Sequence, residues 1–206
     1  MRKTLIALLM TIPAQLEADF LTTAAKAFLS DAQVEFEEQK HTSQLSGISL
    51  SADYEISPNL FFRYEALTGG GTFATTTNEY NFNKNMMYAY KTFAIDYTPA
   101  PSWKTVYAVG AGISNKKFKF GSNSYEQSQL PVFLKLKITN ATNIQISLSG
   151  YGQIDNLQNN RSGSLSFKFP TTGSVNFIGK YTNHKSKVGA LQHCGSDYFL
   201  GFSVHF

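Results

Sequence analysis

Three polar residues near the C-terminus have the side chains that nucleophilic catalysis needs. His184 and Ser186 are two residues apart, and Asp197 opens the last segment of the chain. Residues two apart on a β-strand share a face, so a histidine base would lie beside a serine hydroxyl, with a carboxylate to orient the base. The spacing predicts a candidate Ser-His-Asp site. The alternative is a histidine and a serine that only end a strand.

The other reactive groups point to no cofactor chemistry. Cys194 is the single cysteine, so it cannot form a disulfide within the chain, and its one neighbouring base is His193. We expect no metal site and no cofactor. The 18 basic and 14 acidic residues give a net charge of +4 and are scattered singly. Because no basic stripe runs beside stacking aromatics, nucleic acid is excluded as a partner.

The elements that would position these residues are β-strands. From Gln33 onward, apolar and polar residues alternate with a period of two. The last segment is the clearest: one face carries Tyr198, Leu200, Phe202, Val204 and Phe206, and the other carries Phe199, Gly201, Ser203 and His205. A soluble sheet can show the same alternation, so the pattern alone does not place the strands in lipid.

The connections between the strands are more informative than the strands. Short turn-forming links alternate with longer polar ones, as expected when one rim of a barrel faces the periplasm and the other faces outward. The short links are residues 57–59, 98–102, 140–143 and 170–173, and the long ones are 69–85, 121–129, 155–162 and 185–196. The sequence therefore predicts an all-β, up-and-down antiparallel barrel.

Four short turns, with both chain ends on the same side, require ten strands. The predicted strands are 33–41, 44–56, 60–68, 86–97, 104–118, 130–139, 143–154, 162–169, 174–184 and 197–206. Most match the roughly 9 to 11 residues that a tilted strand needs to cross a bilayer. The first strand, with Val34 and Phe36 facing outward, is the weakest, and eight strands are the alternative. The barrel would span residues 33–206.

The N-terminal residues have the order of a secretory signal peptide. Arg2 and Lys3 precede an apolar run from Leu5 to Ile12, and small or polar residues follow. The run is shorter than the roughly 20 residues of a membrane-spanning helix. We expect residues 1–18 to be removed after Ala18, with Ala14 as a second cleavage site and a buried helix as the alternative. Residues 19–32 are expected to form a linker or a short amphipathic helix.

The final segment, YFLGFSVHF, resembles the closing strand of bacterial outer-membrane barrels. Two internal stretches, residues 47–67 and 107–115, resemble hairpins of the small OmpA-like and OmpX-like barrels, which usually have eight strands. The resemblance implies a location in the bacterial outer membrane, with outer-membrane lipid and lipopolysaccharide as neighbours. It also implies an assembly signal at Tyr198, Phe202 and Phe206, read by the barrel assembly machinery.

If the apolar face contacts lipid, the charged residues of the opposite face line the lumen. The predicted lumen charges are Glu35, Glu37, Asp53, Glu55, Arg63, Glu65, Asp96, Lys135, Lys137, Lys168 and Lys180. Buried charges need partners, so we expect ion pairs that fill the barrel. The alternative is a narrow ion path between an acidic wall and a basic wall.

These features favour a non-enzymatic barrel with a structural or surface-interaction role, compatible with minor, porin-like channel activity. The polar link 69–85 suits an extracellular partner. The alternative function is lipid A acyl-ester hydrolysis, because the His184-x-Ser186 pair resembles the site of the lipid A deacylase PagL. That family has Asn where this chain has Lys187, and Glu where it has Asp197. A soluble, lipocalin-like barrel is a third interpretation.

Overall fold

The computed structural model describes residues 21–36, 39–77, 80–99, 104–140, 142–153, 156–171 and 173–206. The predicted signal peptide and its cleavage site lie outside these residues. No helix within the described part of the chain is long and apolar enough to cross a membrane.

The described residues form eleven β-strands. They are β1 (Leu21–Phe36), β2 (Gln39–Ser57), β3 (Leu60–Thr77), β4 (Tyr80–Tyr97), β5 (Thr105–Phe120), β6 (Asn123–Gln129), β7 (Pro131–Thr139), β8 (Gln145–Gln153), β9 (Arg161–Pro170), β10 (Val175–Val188) and β11 (Leu191–His205).

Neighbouring strands pair antiparallel, and the ring closes because β1 pairs with both β2 and β11. β5 pairs with β6 near one end of the barrel and with β7 near the other, so β6 and β7 form one wall position. The result is a closed barrel of ten strands. The predicted ten-strand, up-and-down topology is confirmed.

The gap between β6 and β7 has a local cause. Gln129 pairs with Ser114, and Val132 pairs with Ala111, in one unbroken register. No residue has therefore been inserted as a bulge. Pro131 has no N–H to donate to the ladder, so pairing stops beside it and resumes at the next residue.

The prediction of a linker or amphipathic helix over residues 19–32 was wrong, because residues 21–36 form β1. The helix-like spacing arose because this strand is apolar on both faces. Phe28 is buried inside the barrel, whereas Leu29 is exposed outside. The predicted first strand, 33–41, and the predicted start of the barrel at residue 33 were wrong as well: that range covers the end of β1 and the beginning of β2, and Val34, which was expected to face outward, is fully buried in the interior.

Three of the predicted long links are extensions of the strands. β3 continues to Thr77 and β4 begins at Tyr80, so most of residues 69–85 is hairpin. Two-residue turns at 121–122 and 189–190 connect the other two pairs. Gly121 and Gly189 have φ angles of 59° and 60°, a left-handed conformation that glycine adopts without steric cost and that tight hairpin turns require.

The outer surface of the barrel carries the apolar alternate residues. Leu134 is 61% exposed, Leu200 62% and Phe202 56%. This is the reverse of a soluble lipocalin-like barrel, which would bury these residues, and that interpretation was wrong. An exposed apolar belt of this kind is stable only in contact with lipid.

The barrel wall is taller on one side than on the other. β2 has 19 residues, and β3 and β4 have 18 each, whereas β8 has 9 and β9 has 10. Roughly 9 to 11 residues cross the hydrocarbon. Long hairpins of such barrels face outward. We therefore call the hairpin end the outer end, and the end that holds Leu21 and Phe206 the periplasmic end.

Candidate functional sites in the barrel interior

The periplasmic half of the interior holds a cavity of about 350 Å³. Nine of the predicted lumen charges lie on its wall: Asp53, Glu55, Arg63, Glu65, Asp96, Lys135, Lys137, Lys168 and Lys180. Each lies on an inward-facing alternate position of its strand, so the period-two pattern alone brings them together. We call this space the charged cavity.

Two ion-pair groups organise one side of the charged cavity. Arg63 Nε lies 3.1 Å from Asp53 Oδ1, and Arg63 Nη2 contacts Asp96 Oδ2. Glu65 Oε1 lies 3.7 Å from Lys26 Nζ and 3.6 Å from Lys180 Nζ. A guanidinium between two carboxylates and a carboxylate between two ammonium groups are the arrangements that buried charges need.

Sequence reasoning missed Lys26, because that residue lay in the predicted linker. One predicted lumen charge differs from the structure. Glu35 shares the outward face of β1 with Leu29, and Gln192 Nε2 lies 3.5 Å from its carboxylate, so its placement in the lumen was wrong. The physical reason is the reversed facing of the first strand. Glu37 lies outside the described residues.

The candidate triad residues all point into the barrel. His184 Nδ1 lies 3.2 Å from Asp197 Oδ2, so the predicted pairing of base and carboxylate is present. His184 Nε2, the nitrogen that would face a nucleophile, lies 3.2 Å from His193 Nδ1. Ser186 is 2% exposed. A lipid ester outside the barrel cannot reach a hydroxyl buried on the inner face of the wall.

The hydroxyl of Ser186 is held by two other residues. Lys116 Nζ donates to Ser186 Oγ at 3.0 Å, and Ser186 Oγ donates to Asn160 Oδ1 at 3.2 Å. Asn160 Oδ1 also accepts from the backbone N–H of Lys187 at 3.1 Å. We call these residues, with His184, His193 and Asp197, the polar cluster. Its hydrogen bonds tie β5, β10 and the loop before β9 into one layer.

Two members of the polar cluster were not predicted. Lys116 shares the inward face of β5 with Phe118 and Phe120, so the alternation of that strand was a signal that could have found it. Asn160 comes from the loop before β9 and is fully buried. No periodic pattern marks a loop residue that folds inward, and nothing in the sequence distinguishes it from its neighbours.

The outer half of the interior also holds a cluster of buried apolar side chains, which we call the apolar plug. Its buried members are Phe28, Ala32, Val34, Leu45, Leu67, Phe118, Phe120, Val188, Leu191 and Phe199. The ring of Phe28 lies where a methyl group on Gly47 or Gly69 would be, so these two glycines make room for it. The Phe118 ring packs edge-on to His193, with centroids 5.3 Å apart, and joins the plug to the polar cluster.

Comparison with known proteins finds the same architecture. No protein-family model and no curated protein matches the sequence. The translocator domain of the autotransporter NalP from Neisseria meningitidis is similar at a TM-score of 0.54 and 10% identity, over 100% of this chain and 95% of that one. The outer membrane protein OprG from Pseudomonas aeruginosa is similar at a TM-score of 0.50 and 11% identity, over 92% of this chain and 96% of that one. The chain has the fold of a bacterial outer-membrane β-barrel.

The exposed belt agrees with this fold, and together they locate the barrel in the outer membrane. Tyr198, Phe202 and Phe206, the predicted assembly signal, are 50%, 56% and 51% exposed on the barrel surface. Their side chains face lipid along β11, the strand that closes the ring against β1.

The outer-membrane barrel carries a polar ledge directly above its apolar belt. Along β1, the outward face changes from Leu29 to Asp31, and along β10 it changes from Tyr181 to Asn183 and Lys185. Asp31, Asn183 and Lys185 border a shallow groove of about 920 Å³, which Arg161 and Cys194 also line. Cys194 Sγ lies 3.9 Å from Gln33 Oε1. Within the described residues, no group of three or more His, Cys, Asp or Glu could hold a metal ion.

Proposed function

We propose that this outer-membrane barrel is a non-enzymatic protein with a structural and surface-interaction role, and that its interior does not conduct. One observation carries the proposal: the apolar plug closes the outer end of the interior, where Phe118, Phe120, Val188 and Leu191 are buried. Barrels of this size leave little space once side chains occupy the lumen. A hydrated ion would lose its water in crossing apolar side chains, and nothing there would replace it.

The role at the cell surface is supported by the unequal wall. The hairpins of β1 to β5 extend well past the length needed to cross the hydrocarbon, and exposed hairpin tips are regions where such proteins make contacts. The extracellular partner predicted for residues 69–85 would then meet the tips of β3 and β4 rather than a loop.

We propose lipopolysaccharide as the neighbour of the polar ledge. Arg161 and Lys185 are opposite each other on β9 and β10, just above Tyr181. Basic side chains above an aromatic residue are placed to contact phosphate groups of lipid head regions, while the ring remains in the acyl layer. For the periplasmic end, we propose that the assembly machinery binds the outward aromatic residues of β11.

The closed interior is tested by conductance in planar bilayers. We expect the wild-type protein to give no stable current steps, because the plug excludes water. Phe118→Ala combined with Phe120→Ala should open the outer end and produce steps. Phe93→Ala, which removes a ring from the outer surface, serves as the control and should remain silent. Regular current steps from the wild-type protein would contradict the proposal.

A second candidate function is lipid A acyl-ester hydrolysis by Ser186, with His184 as base and Asp197 orienting it. The contact of 3.2 Å between His184 and Asp197 favours it, and the burial of Ser186 opposes it. Mass spectrometry of lipid A from cells with the wild-type protein or Ser186→Ala separates the two functions. We expect identical acylation in both. Loss of one acyl chain only with the wild-type protein would establish the hydrolase.

A further inference from the structure

The charged cavity has more positive than negative side chains on its wall. Six are cationic, namely Lys26, Arg63, Lys135, Lys137, Lys168 and Lys180, and four are carboxylates, namely Asp53, Glu55, Glu65 and Asp96. The two ion-pair groups take three from each set, so they are neutral together. What is left is one carboxylate, Glu55, and three lysines.

The three remaining lysines lie on strands that carry none of the ion-paired residues. Lys135 and Lys137 lie on β7, and Lys168 lies on β9. Among the described residues, none of the three forms an ion pair of 4.0 Å or less. Like charges gathered in a confined, partly desolvated space raise the energy of the empty site unless a counter-ion enters it.

The same wall supplies neutral hydrogen-bond donors between the lysines. Ser147 on β8 is opposite both Lys137 and Ser166, and Ser149 is opposite Lys135. All three serines line the charged cavity. Alternating ammonium and hydroxyl groups, with no carboxylate on these strands of the cavity, match the needs of a small oxyanion, which accepts several hydrogen bonds.

The charged cavity reaches the periplasmic rim, where Thr22, Glu55 and His205 line it. We propose that it is a binding site for one small phosphate-containing anion that enters from the periplasm. The excess of three lysines over Glu55 leaves about two positive charges, which balance the charge of about −1.5 to −2 on a phosphomonoester near neutral pH. This proposal goes beyond the structural role and does not depend on the closed outer end.

Isothermal titration calorimetry tests the site with the refolded protein in a non-ionic detergent that has no phosphate group. Inorganic phosphate and glycerol phosphate are the probes, and sodium chloride at equal ionic strength controls for screening. We expect saturable 1:1 heats for the wild-type protein. The tighter of the two probes identifies a free phosphate or a phosphomonoester as the preferred ligand.

The decisive variant is Lys137→Gln with Lys168→Gln. We expect its phosphate dissociation constant to rise roughly tenfold or more, because each charged hydrogen bond contributes about a tenfold factor in affinity. The control, Lys117→Gln with Lys119→Gln, removes the same charge from the exposed outer face of β5 and should bind as the wild type does. The pair Lys137→Arg with Lys168→Arg keeps both charges and should retain binding.

Folding and binding are separable in this experiment. Heat-modifiable migration on a gel reports the folded barrel, and Lys168→Gln alone, near the rim, provides a milder variant if the double one misfolds. Phosphate should also raise the unfolding temperature of the wild-type protein and leave that of the glutamine pair unchanged. Equal phosphate affinity in the wild type and the glutamine pair, or heats that chloride reproduces, would overturn the proposal.

Discussion

The two halves of the barrel interior are built from the same strands but filled by different chemistry. In the periplasmic half, the inward positions carry lysine, arginine and carboxylate groups around a cavity. In the outer half, the inward positions carry the phenylalanine, leucine and valine side chains of the apolar plug, packed against the polar cluster. On β1, the change occurs within two residues, from Lys26 to Phe28.

This difference shows that the alternation of apolar and polar residues reverses its facing along one strand. Within the membrane, the outward residues must be apolar, so the inward ones are polar. Above the membrane, the outward residues meet water, and the inward ones are free to form an ordinary apolar core. The barrel is therefore a lipid-facing structure in its lower half and resembles a soluble protein in its upper half.

The largest expected loss of unfolding free energy comes from removing a charged side chain from the periplasmic half of the interior. Arg63→Met leaves Asp53 and Asp96 without their guanidinium and should cost about 3–5 kcal/mol of unfolding free energy. Urea unfolding in detergent, followed by circular dichroism, measures it. Adding Asp53→Asn and Asp96→Asn should recover most of the loss. A cost below about 1 kcal/mol for the single change would mean that water already solvates these charges.

Truncating a side chain of the apolar plug should lower the unfolding free energy by a slightly smaller amount. Phe118 is fully buried, and Phe118→Ala should cost about 3 kcal/mol through lost burial and the cavity left behind. The same unfolding assay applies. Phe93→Ala on the lipid-facing side is the comparison and should cost less, because about half of that ring is exposed. Equal costs would show that the plug is no better packed than the outer surface.

The polar cluster lies between the two halves, and removing one of its hydroxyl groups should lower the unfolding free energy by a smaller amount. Ser186→Ala removes one hydrogen bond to Asn160 and one from Lys116, and should cost about 1–2 kcal/mol. Ser124→Ala, at an exposed position of β6, is the control and should be neutral. If both variants unfold at the same urea concentration, the polar cluster does not connect the plug to the wall.

The smallest effect is expected for an ion pair outside both halves. Lys117 Nζ lies 3.5 Å from Glu126 Oε2, and both side chains are more than half exposed. Lys117→Gln should change the unfolding free energy by less than about 0.5 kcal/mol, since water and salt screen the pair. Unfolding at low and high salt checks this. A larger loss of unfolding free energy that does not depend on salt would mean that this exposed pair stabilises the barrel as much as the buried pairs do.

The strands were predictable where lipid imposes the pattern. β11 and β7 alternate cleanly, and their apolar residues lie outside as predicted. β1 was not recognised, because Phe28 and Leu29 are apolar on opposite faces. The predicted loops failed for a related reason: above the membrane the polar outward residues resemble a loop, although the backbone continues as paired strands.

The candidate sites were predictable to a similar degree. The nine cavity charges followed from alternation alone, whereas which lysines lack carboxylate partners depends on which strands are neighbours in three dimensions. His184 and Asp197 were brought together because their strands pair. The partners of Ser186 come from β5 and a loop, at sequence separations of 70 and 26 residues, and no local pattern encodes such distant contacts.

The interruption at Pro131 has a practical consequence for protein engineering. On its β6 side, the tip formed by β5 and β6 joins the wall where the ladder is open, whereas on its β5 side it stays paired with β4 as far as Phe120. A foreign epitope inserted at residues 121–122 would be displayed at the outer end, and a distortion of β6 would not pass to β7 through ladder hydrogen bonds. That hairpin is the natural place to graft a peptide onto this scaffold.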